Sequence, residues 1–460
     1  MTSFRDRVRD AFDEGVPVAI DRGARGHYEK RVQATAAFPQ MEQMRDRARR
    51  IRADVIAHLD EHLATFAAAV EAHGGTAFFA ADAAEANEYI VGLARTEGVS
   101  RAVKVKSMVT EEIELNPVLE AAGIEVVETD LGEFIVQLAG EKPSHIIAPV
   151  LHKDRYDVAE LFAEKLGVEY SDDPSQLNDI ARTHLREKFL TAEMGISGVN
   201  FAVAEDGSVV LVTNEGNGRL CTTAPRIHVA VMGMERLVRD RHDLAVMLEV
   251  LARSATGQGL SAYSNVVSGP RRPAEPDGPD QFHVVIVDNG RSATLGSAVA
   301  EILYCIRCGA CLNACPVYRH LGGHAYGSVY PGPIGKVITP SLFGLEEWHE
   351  LPAASSLCGA CKEVCPVRID IPKLLVELRR QSTDEMQPSI RRGLAVFAWL
   401  STKPRLYRLA TRVAALFGRM WSRDGWLRRI PFALRGWTGE RDLPAPAKQT
   451  FSDWWRNRGT

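Results

Sequence analysis

The sequence lacks any run of about eighteen uncharged apolar residues, which is what a membrane-spanning helix needs. Its first residues, MTSFRDRVRDAF, are charged and amphipathic and carry no apolar secretory core. No G-x-G-x-x-G joins a strand to a helix; GNG at 216–218 is followed by Arg219-Leu220-Cys221 and fails that pattern. Neither a nicotinamide nor a flavin site is therefore expected on this chain. Cysteine is scarce, with eight in 460 residues, and nothing points to the oxidising compartment that a disulfide framework requires. The expected location is the cytoplasm.

The few cysteines are concentrated. Seven of the eight fall in two copies of one motif. The first reads Cys305-x2-Cys308-x2-Cys311-x3-Cys315-Pro316; the second, 50 residues on, reads Ser355-x2-Cys358-x2-Cys361-x3-Cys365-Pro366. Residues 308–317 (CGACLNACPV) and 358–367 (CGACKEVCPV) are identical at seven of ten positions. Four cysteines at this spacing, ending in Cys-Pro, are the signature of bacterial two-cluster ferredoxins, in which the fourth cysteine of a run ligates the other cluster. Structural zinc instead uses pairs of Cys-x2-Cys without a third cysteine in register. The pattern implies an electron carrier with two [4Fe-4S] clusters. Cys305, Cys308, Cys311 and Cys365 hold one; Cys315, Cys358 and Cys361 hold the other. Gly309 and Gly359 let the backbone approach inorganic sulfide, and Pro316 and Pro366 help aim the fourth sulfur away from its own loop. The second cluster is one cysteine short. Either it is a [3Fe-4S] cluster, or its fourth iron is held by Ser355, by His320 or His324, by water or by substrate.

Apolar residues make up 45% and charged residues 25%, ordinary globular values, and the length allows two or three domains. The net charge of −4 is unevenly spread. Residues 391–460 hold fifteen Lys/Arg against four Asp/Glu, a net of +11, which leaves −15 on the rest. Six of the seven tryptophans lie there too: Trp399, Trp421, Trp426, Trp437, Trp454 and Trp455. A basic, aromatic tail suits docking on an acidic protein surface, its own or a partner's, ahead of peripheral contact with the inner face of a membrane. Nucleic acid is not expected as a partner, because the remainder of the chain is acidic.

Residues 1–40 read as an extended or partly helical arm and 41–73 as one long amphipathic helix stopped by Gly74-Gly75. This N-terminal segment, 1–75, precedes an α/β domain at 76–291. There the apolar runs TAFFA (76–80), AVKVK (102–106), IEVVE (124–128) and SHIIAP (144–149) alternate with helical stretches at 82–95, 107–121 and 153–167. That alternation is the mark of a largely parallel sheet. VNFAVAE (199–205) and SVVLVTN (208–214) flank Asp206-Gly207, a hairpin signal. IHVAVMG (227–233) and FHVVIVD (282–288) continue the sheet, with helices near 177–193, 235–253 and 292–304. A helical, ferredoxin-like two-cluster domain is expected at 292–387. A basic helical tail follows at 388–460, broken by prolines at 404, 431, 444 and 446.

With these residues assembled, the chain resembles the lactate-utilization protein B family, the iron–sulfur subunit of the bacterial L-lactate utilization system. The resemblance is carried by residues 104–162, by GISGVNFAVAEDGSVVLVTNEGN (195–217), by CIRCGACLNACPVYRHLGGHAYGSVYPGPIG (305–335) and by SSLCGACKEVCPV (355–367). The last includes the serine where a ferredoxin has cysteine. The resemblance implies an N-terminal lactate-utilization domain, with a fold related to sugar-phosphate isomerases and coenzyme A transferases. It implies oxidation of L-lactate to pyruvate, and growth on L-lactate, together with a cysteine-rich subunit and a smaller subunit bearing a lactate-utilization domain. In the related transferase fold a glutamate on a comparable turn is catalytic. That makes Glu215, in TNEGNG (213–218), a candidate acid/base or substrate contact, set against a tight turn with a solvated Glu215.

Other residues carry two readings each. His320, His324, Tyr326 and Tyr330 lie between the motifs. The histidines either ligate iron, bond to cluster sulfur, contact a carboxylate substrate, or simply pack. His152, Lys153 and Arg155 sit just past a predicted strand, either at a ligand site or at a solvated helix start. Cys221 reads as a small buried apolar residue. Two functions compete with electron transfer: an iron–sulfur Lewis-acid lyase acting on a hydroxy acid, and a redox-responsive metabolite-binding module.

Overall fold

The computed structural model describes residues 3–13, 16–385, 388–430, 438, 441–447 and 449–458; Pro431 and Trp437 lie outside them. The chain divides into two compact units, Met1–Ser382 and Thr383–Thr460. Among its described residues the first unit holds ten strands: β1 (Thr76–Ala80), β2 (Arg101–Lys104), β3 (Glu125–Glu128), β4 (Met194–Gly198), β5 (Phe201–Val203), β6 (Ser208–Thr213), β7 (Ile227–Gly233), β8 (Leu237–Val238), β9 (Tyr263–Val267) and β10 (Gln281–Val287). In the spatial order β1, β10, β7, β4, β2, β3 they form an all-parallel sheet. A smaller sheet runs β8, β5, β6, β9, with β5 and β6 antiparallel about Asp206-Gly207 as the hairpin signal predicts.

Every residue of β7 is buried, because both faces of a parallel sheet are covered. Val229 and Val231 face one core, shared with Ile90, Leu115 and Leu119. Ala230 and Met232 face the other, which runs on without a break into Cys305, Cys308, Cys311, Cys315, Cys361 and Cys365. The cysteine region therefore shares its hydrophobic core with the α/β sheet. The sheet also reverses its direction of growth beside β2: β3 is added on one side, and β4, β7 and β10 on the other. In open α/β sheets that reversal opens a crevice at the strand carboxyl ends where ligands bind.

Several local expectations are corrected. SHIIAP (144–149) is not a strand. The Ser144 N–H and hydroxyl both donate to the Pro149 carbonyl, at 2.9 and 3.0 Å, closing the segment on itself, and Pro143 and Pro149 offer no donors for a ladder. The arm is helical, at Phe4–Asp13 and Val16–Ala36, because it buries Ile20 and Ala24. The long helix is two, Met41–Ala57 and Leu59–Ala72, interrupted at His58 (φ −124°, ψ 39°), whose ring bonds the Asp54 carbonyl. The stretch at 107–121 likewise splits at Glu114, which is left-handed (φ 52°). The stretch at 292–304 becomes a short helix, Arg291–Leu295, and a 3-10 turn, Ala300–Tyr304.

The second unit holds helices Pro388–Ser401, Pro404–Met420 and Phe451–Asn457, and an antiparallel pairing of Trp426–Leu427 with Leu443–Pro444. Among the described residues no helix is long and apolar enough to cross a membrane.

Candidate iron–sulfur centre and adjoining cleft

The two motifs adopt the same backbone. Arg307 and Gly309 are left-handed (φ 58° and 74°), and so are Leu357 and Gly359 (φ 54° and 88°). Each pair leads into a one-turn helix, Ala310–Ala314 or Ala360–Val364, and the two helices pack on each other. A left-handed arginine or leucine is strained. Here it turns an N–H toward the ligand position: Arg307 N–H donates to Cys305 Sγ at 3.3 Å, and Leu357 N–H donates to Ser355 Oγ at 3.2 Å. Ser355 thus holds the place of Cys305 in geometry as well as in sequence. Tyr318 N–H and Ile369 N–H donate to the sulfurs of Cys315 and Cys365, at 3.4 and 3.3 Å. Hydrogen bonds of this kind tune cluster potentials.

Six of the seven motif cysteines are buried and Cys358 is exposed. The buried thiols feel one another's charge. Burial first, then the neighbouring Cys365 and Cys305, lifts the Cys308 thiol above its ordinary range. Cys365 is pushed up to about 11 by burial, with Cys305 adding to the rise. Cys361 is pushed up to about 12 by burial, then by Cys315 and Cys358. The thiols thus feel one another within a motif and across the two, Cys308 beside Cys365 and Cys361 beside Cys315, with Cys361 also adding to the rise that burial gives Cys311; among the described residues no three of these side chains already stand together as a metal-ligand set. Buried thiols that repel one another as thiolates are what a metal centre converts to ligands, because the metal charge replaces the protons. An orphaned group supports the fit: the buried Tyr326 hydroxyl has no hydrogen-bond partner among the described residues, and burial, then the nearby Cys315, raises its pKa. Cluster sulfide would give it an acceptor.

Arginines from the N-terminal helices brace both loops. Arg45 donates to the carbonyls of Glu363 and Cys365, at 2.6 and 2.9 Å, and Arg31 to that of Val364 at 3.2 Å. Arg52, buried, donates to the carbonyls of Leu303, Leu237 and Glu235. Lys336, also buried, donates to the Ala354 carbonyl beside Ser355. None of these stood out in the sequence, because lone basic residues on a helix read as solvated. His320 Nδ1 and His324 Nε2 pair with the carbonyls of Pro316 and Lys142, both at 2.7 Å. His152 pairs with Glu141 and Ser144, Lys153 with Glu141, and Arg155 with Tyr156. Cys221 is buried, and Thr129 Oγ1 lies 3.4 Å from its sulfur.

A cleft of about 460 Å³ opens at the reversal point of the sheet. Lys106 and Ser107 beyond β2, Gly198 at the end of β4 and Thr213, Asn214 and Glu215 at the end of β6 line it, with Asp130, Arg236 and Arg307. Glu215 is exposed as a residue, yet its carboxyl accepts the Leu131 N–H at 3.2 Å at the rim. Burial by the rim, then the Asp130 carboxylate, raises its pKa to about 7 against the pull of that N–H. The carboxyl is accordingly protonated below neutrality. A raised folded pKa favours folding most at low pH, and that contribution falls as pH rises from about 4.5 toward 7. Glu215→Gln should flatten this part of the pH–stability curve and delete one carboxyl infrared band titrating near neutrality; a curve unchanged by the substitution contradicts the assignment.

The loops and their surroundings define a class first: an iron–sulfur protein built onto a parallel α/β sheet. Family models agree, matching a LUD domain at residues 63–287, a 4Fe-4S dicluster domain at 301–369 and a "Lactate utilisation protein B, C-terminal" region at 387–460. The chain is 45% identical to lactate utilization protein B of Bacillus pumilus over 99% of this chain and 97% of that one. It is 47% identical to that of Geobacillus thermodenitrificans, over 98% and 95%. The chain belongs to the lactate utilization protein B family.

Proposed function

We propose that this chain is the iron–sulfur electron-transfer subunit of a complex that oxidises L-lactate to pyruvate and so permits growth on L-lactate. The observation that carries the proposal is the matched backbone of the two cysteine loops, whose one-turn helices pack on each other, in a chain whose relatives are named for lactate utilization. Bound there, the clusters supply one-electron steps. The chain's own residues position them: Arg31, Arg45 and Arg52 hold the loops, and backbone N–H groups set the sulfurs. The companions are a cysteine-rich subunit and a smaller subunit with a lactate-utilization domain. Anaerobically purified protein should contain iron and sulfide and take up electrons when mixed with its companions and L-lactate. If only another hydroxy acid reduces it, the substrate assignment fails. The serine at the fourth position of the second group and the exposure of Cys358 favour one alternative, a Lewis-acid lyase. A substrate-dependent change at one iron without net reduction would support that alternative.

We assign the tail the docking role. Leu406, Leu409, Val413, Leu416 and Met420 lie along one side of helix Pro404–Met420 and are exposed, as are Trp399, Trp421, Trp454 and Trp455. Removing residues 391–460 should release the chain from its companions while leaving its iron content intact. Flotation with anionic vesicles that requires the same residues would move the role to a lipid surface.

A further inference from the structure

Two arginines in the cleft are short of partners. Arg307 is 6% exposed; its guanidinium lies over the Tyr330 ring at 4.9 Å and its Nη2 reaches Glu235 at 3.2 Å, while its Nε and Nη1 have no hydrogen-bond partner among the described residues. Arg236 makes no hydrogen bond among the described residues, and the Glu235 carboxylate stands 3.9 Å away. That carboxylate is already taken by Arg291 at 2.6 Å. Three guanidinium groups thus compete for Glu235, those of Arg291 and Arg307 buried and that of Arg236 12% exposed, and the two that line the cleft keep free donors. A carboxylate matches such donors in shape and charge. Asp130 and Glu215 line the same cleft, so a second negative charge on the ligand would be opposed. Apolar wall is supplied by Ile135, Ile146 and Leu251. The volume exceeds what a three-carbon acid fills and leaves room for a reacting group from another subunit.

We propose that the cleft binds a small monocarboxylate of the 2-hydroxy or 2-oxo acid class through Arg236 and Arg307, and that Arg307 links this binding to the potential of the first cluster; the assignment of the acid rests on the function proposed above. Arg307 belongs to both sites. Its main-chain N–H donates to Cys305 Sγ, and its side chain lines the cleft. Its left-handed backbone holds both ends in place. An anion on the guanidinium cancels positive charge that otherwise favours added electron density at the neighbouring thiolates. Linkage makes the effect reciprocal: the acid binds more tightly to the oxidised protein, and electron arrival loosens it. A tenfold difference in affinity corresponds to about 59 mV for one electron.

The test is a redox titration of the full, anaerobically purified, cluster-loaded chain at increasing pyruvate, with calorimetry of pyruvate binding to the oxidised protein. The midpoint of the first cluster should fall as pyruvate rises. Arg236→Gln should weaken binding by about thirtyfold or more and abolish the dependence of the midpoint on pyruvate, with iron content unchanged; Arg236→Lys should restore part of both. A midpoint indifferent to saturating pyruvate overturns the linkage, and so does the case in which Arg307→Gln moves the midpoint while pyruvate never does, which would make Arg307 a counter-charge only. Equal pyruvate binding by wild type and Arg236→Gln overturns the site. The two readings separate cleanly. A pyruvate-dependent midpoint in a complex that L-lactate cannot reduce sinks the relay and supports the cleft; reduction by L-lactate with no pyruvate effect sinks the cleft alone.

Discussion

Cys365→Ala is expected to abolish the cluster of the first motif and spare that of the second, although Cys365 belongs to the second motif. Beyond burial, Cys365 helps to raise the Cys308 thiol and is itself raised by Cys305, and its backbone is fixed from outside by Arg45. Iron and sulfide content should fall by about half, one cubane of the two. The surviving electron paramagnetic resonance signal should be the one that Cys315→Ala or Cys358→Ala removes. Cys315→Ala is the mirror case: it alters the first motif and should delete the second centre. Exposure of Cys358 adds an order of loss, with the second centre giving up iron first on mild oxidation, since access governs such damage. If Cys365→Ala and Cys358→Ala instead delete the same signal, each loop keeps its own sulfurs and the exchange of ligands between repeats is wrong.

What the sequence disclosed and what it hid follow from the range of the forces involved. Strands β2, β3, β6, β7 and β10 were legible because burial leaves nearly unbroken apolar runs; the edge strand β1 was legible from its apolar run TAFFA although Phe79 is half exposed. Strand β4 was not: MGISG carries two glycines, and its meaning lies in its neighbours. A Cβ on Gly195 would stand 1.8 Å from the Cys221 carbonyl oxygen, so glycine is demanded there by a helix 20-odd residues downstream, at Asn217–Thr223. The apolar run 144–149 misled for the converse reason, since it packs as a loop against the first cysteine helix, His145 bonding Asn313 at 3.0 Å. The ligand cysteines were legible because cluster geometry imposes spacing along the chain. The arginines were not, because Arg52 meets Glu235 across 183 positions and no local pattern records that. Glu215 was legible only through resemblance; its rim position and its neighbour Asp130 come from the fold.

Arg291→Ala should destabilise the first unit by about 3–5 kcal/mol, the usual cost of removing one partner from a buried ion pair. Arg291 follows β10 and is 1% exposed. It grips Glu112 with both terminal nitrogens at 2.8 Å and Glu235, which follows β7, with Nε at 2.6 Å. Tyr330 and Asn289 also donate to Glu112, and Arg307 to Glu235. The network therefore ties the carboxyl ends of the parallel strands to the first cysteine loop. Burial alone would raise both glutamates; the Arg291 charge overrides it and holds each below the ordinary carboxylate range. Depressed folded values contribute stability above about pH 4.5 and lose it as pH falls through them. The substitution should therefore cost most near neutrality and least in acid, where both carboxyls can be neutral. Arg291→Lys should recover little, because an ammonium cannot span two carboxylates as the planar fork does. Loss of visible cluster absorption on heating, followed at two pH values for each variant, is the measurement. An Arg291→Ala protein as stable as wild type at neutral pH would mean that water has replaced the fork and that the α/β sheet and the cysteine region are joined by their shared apolar core alone.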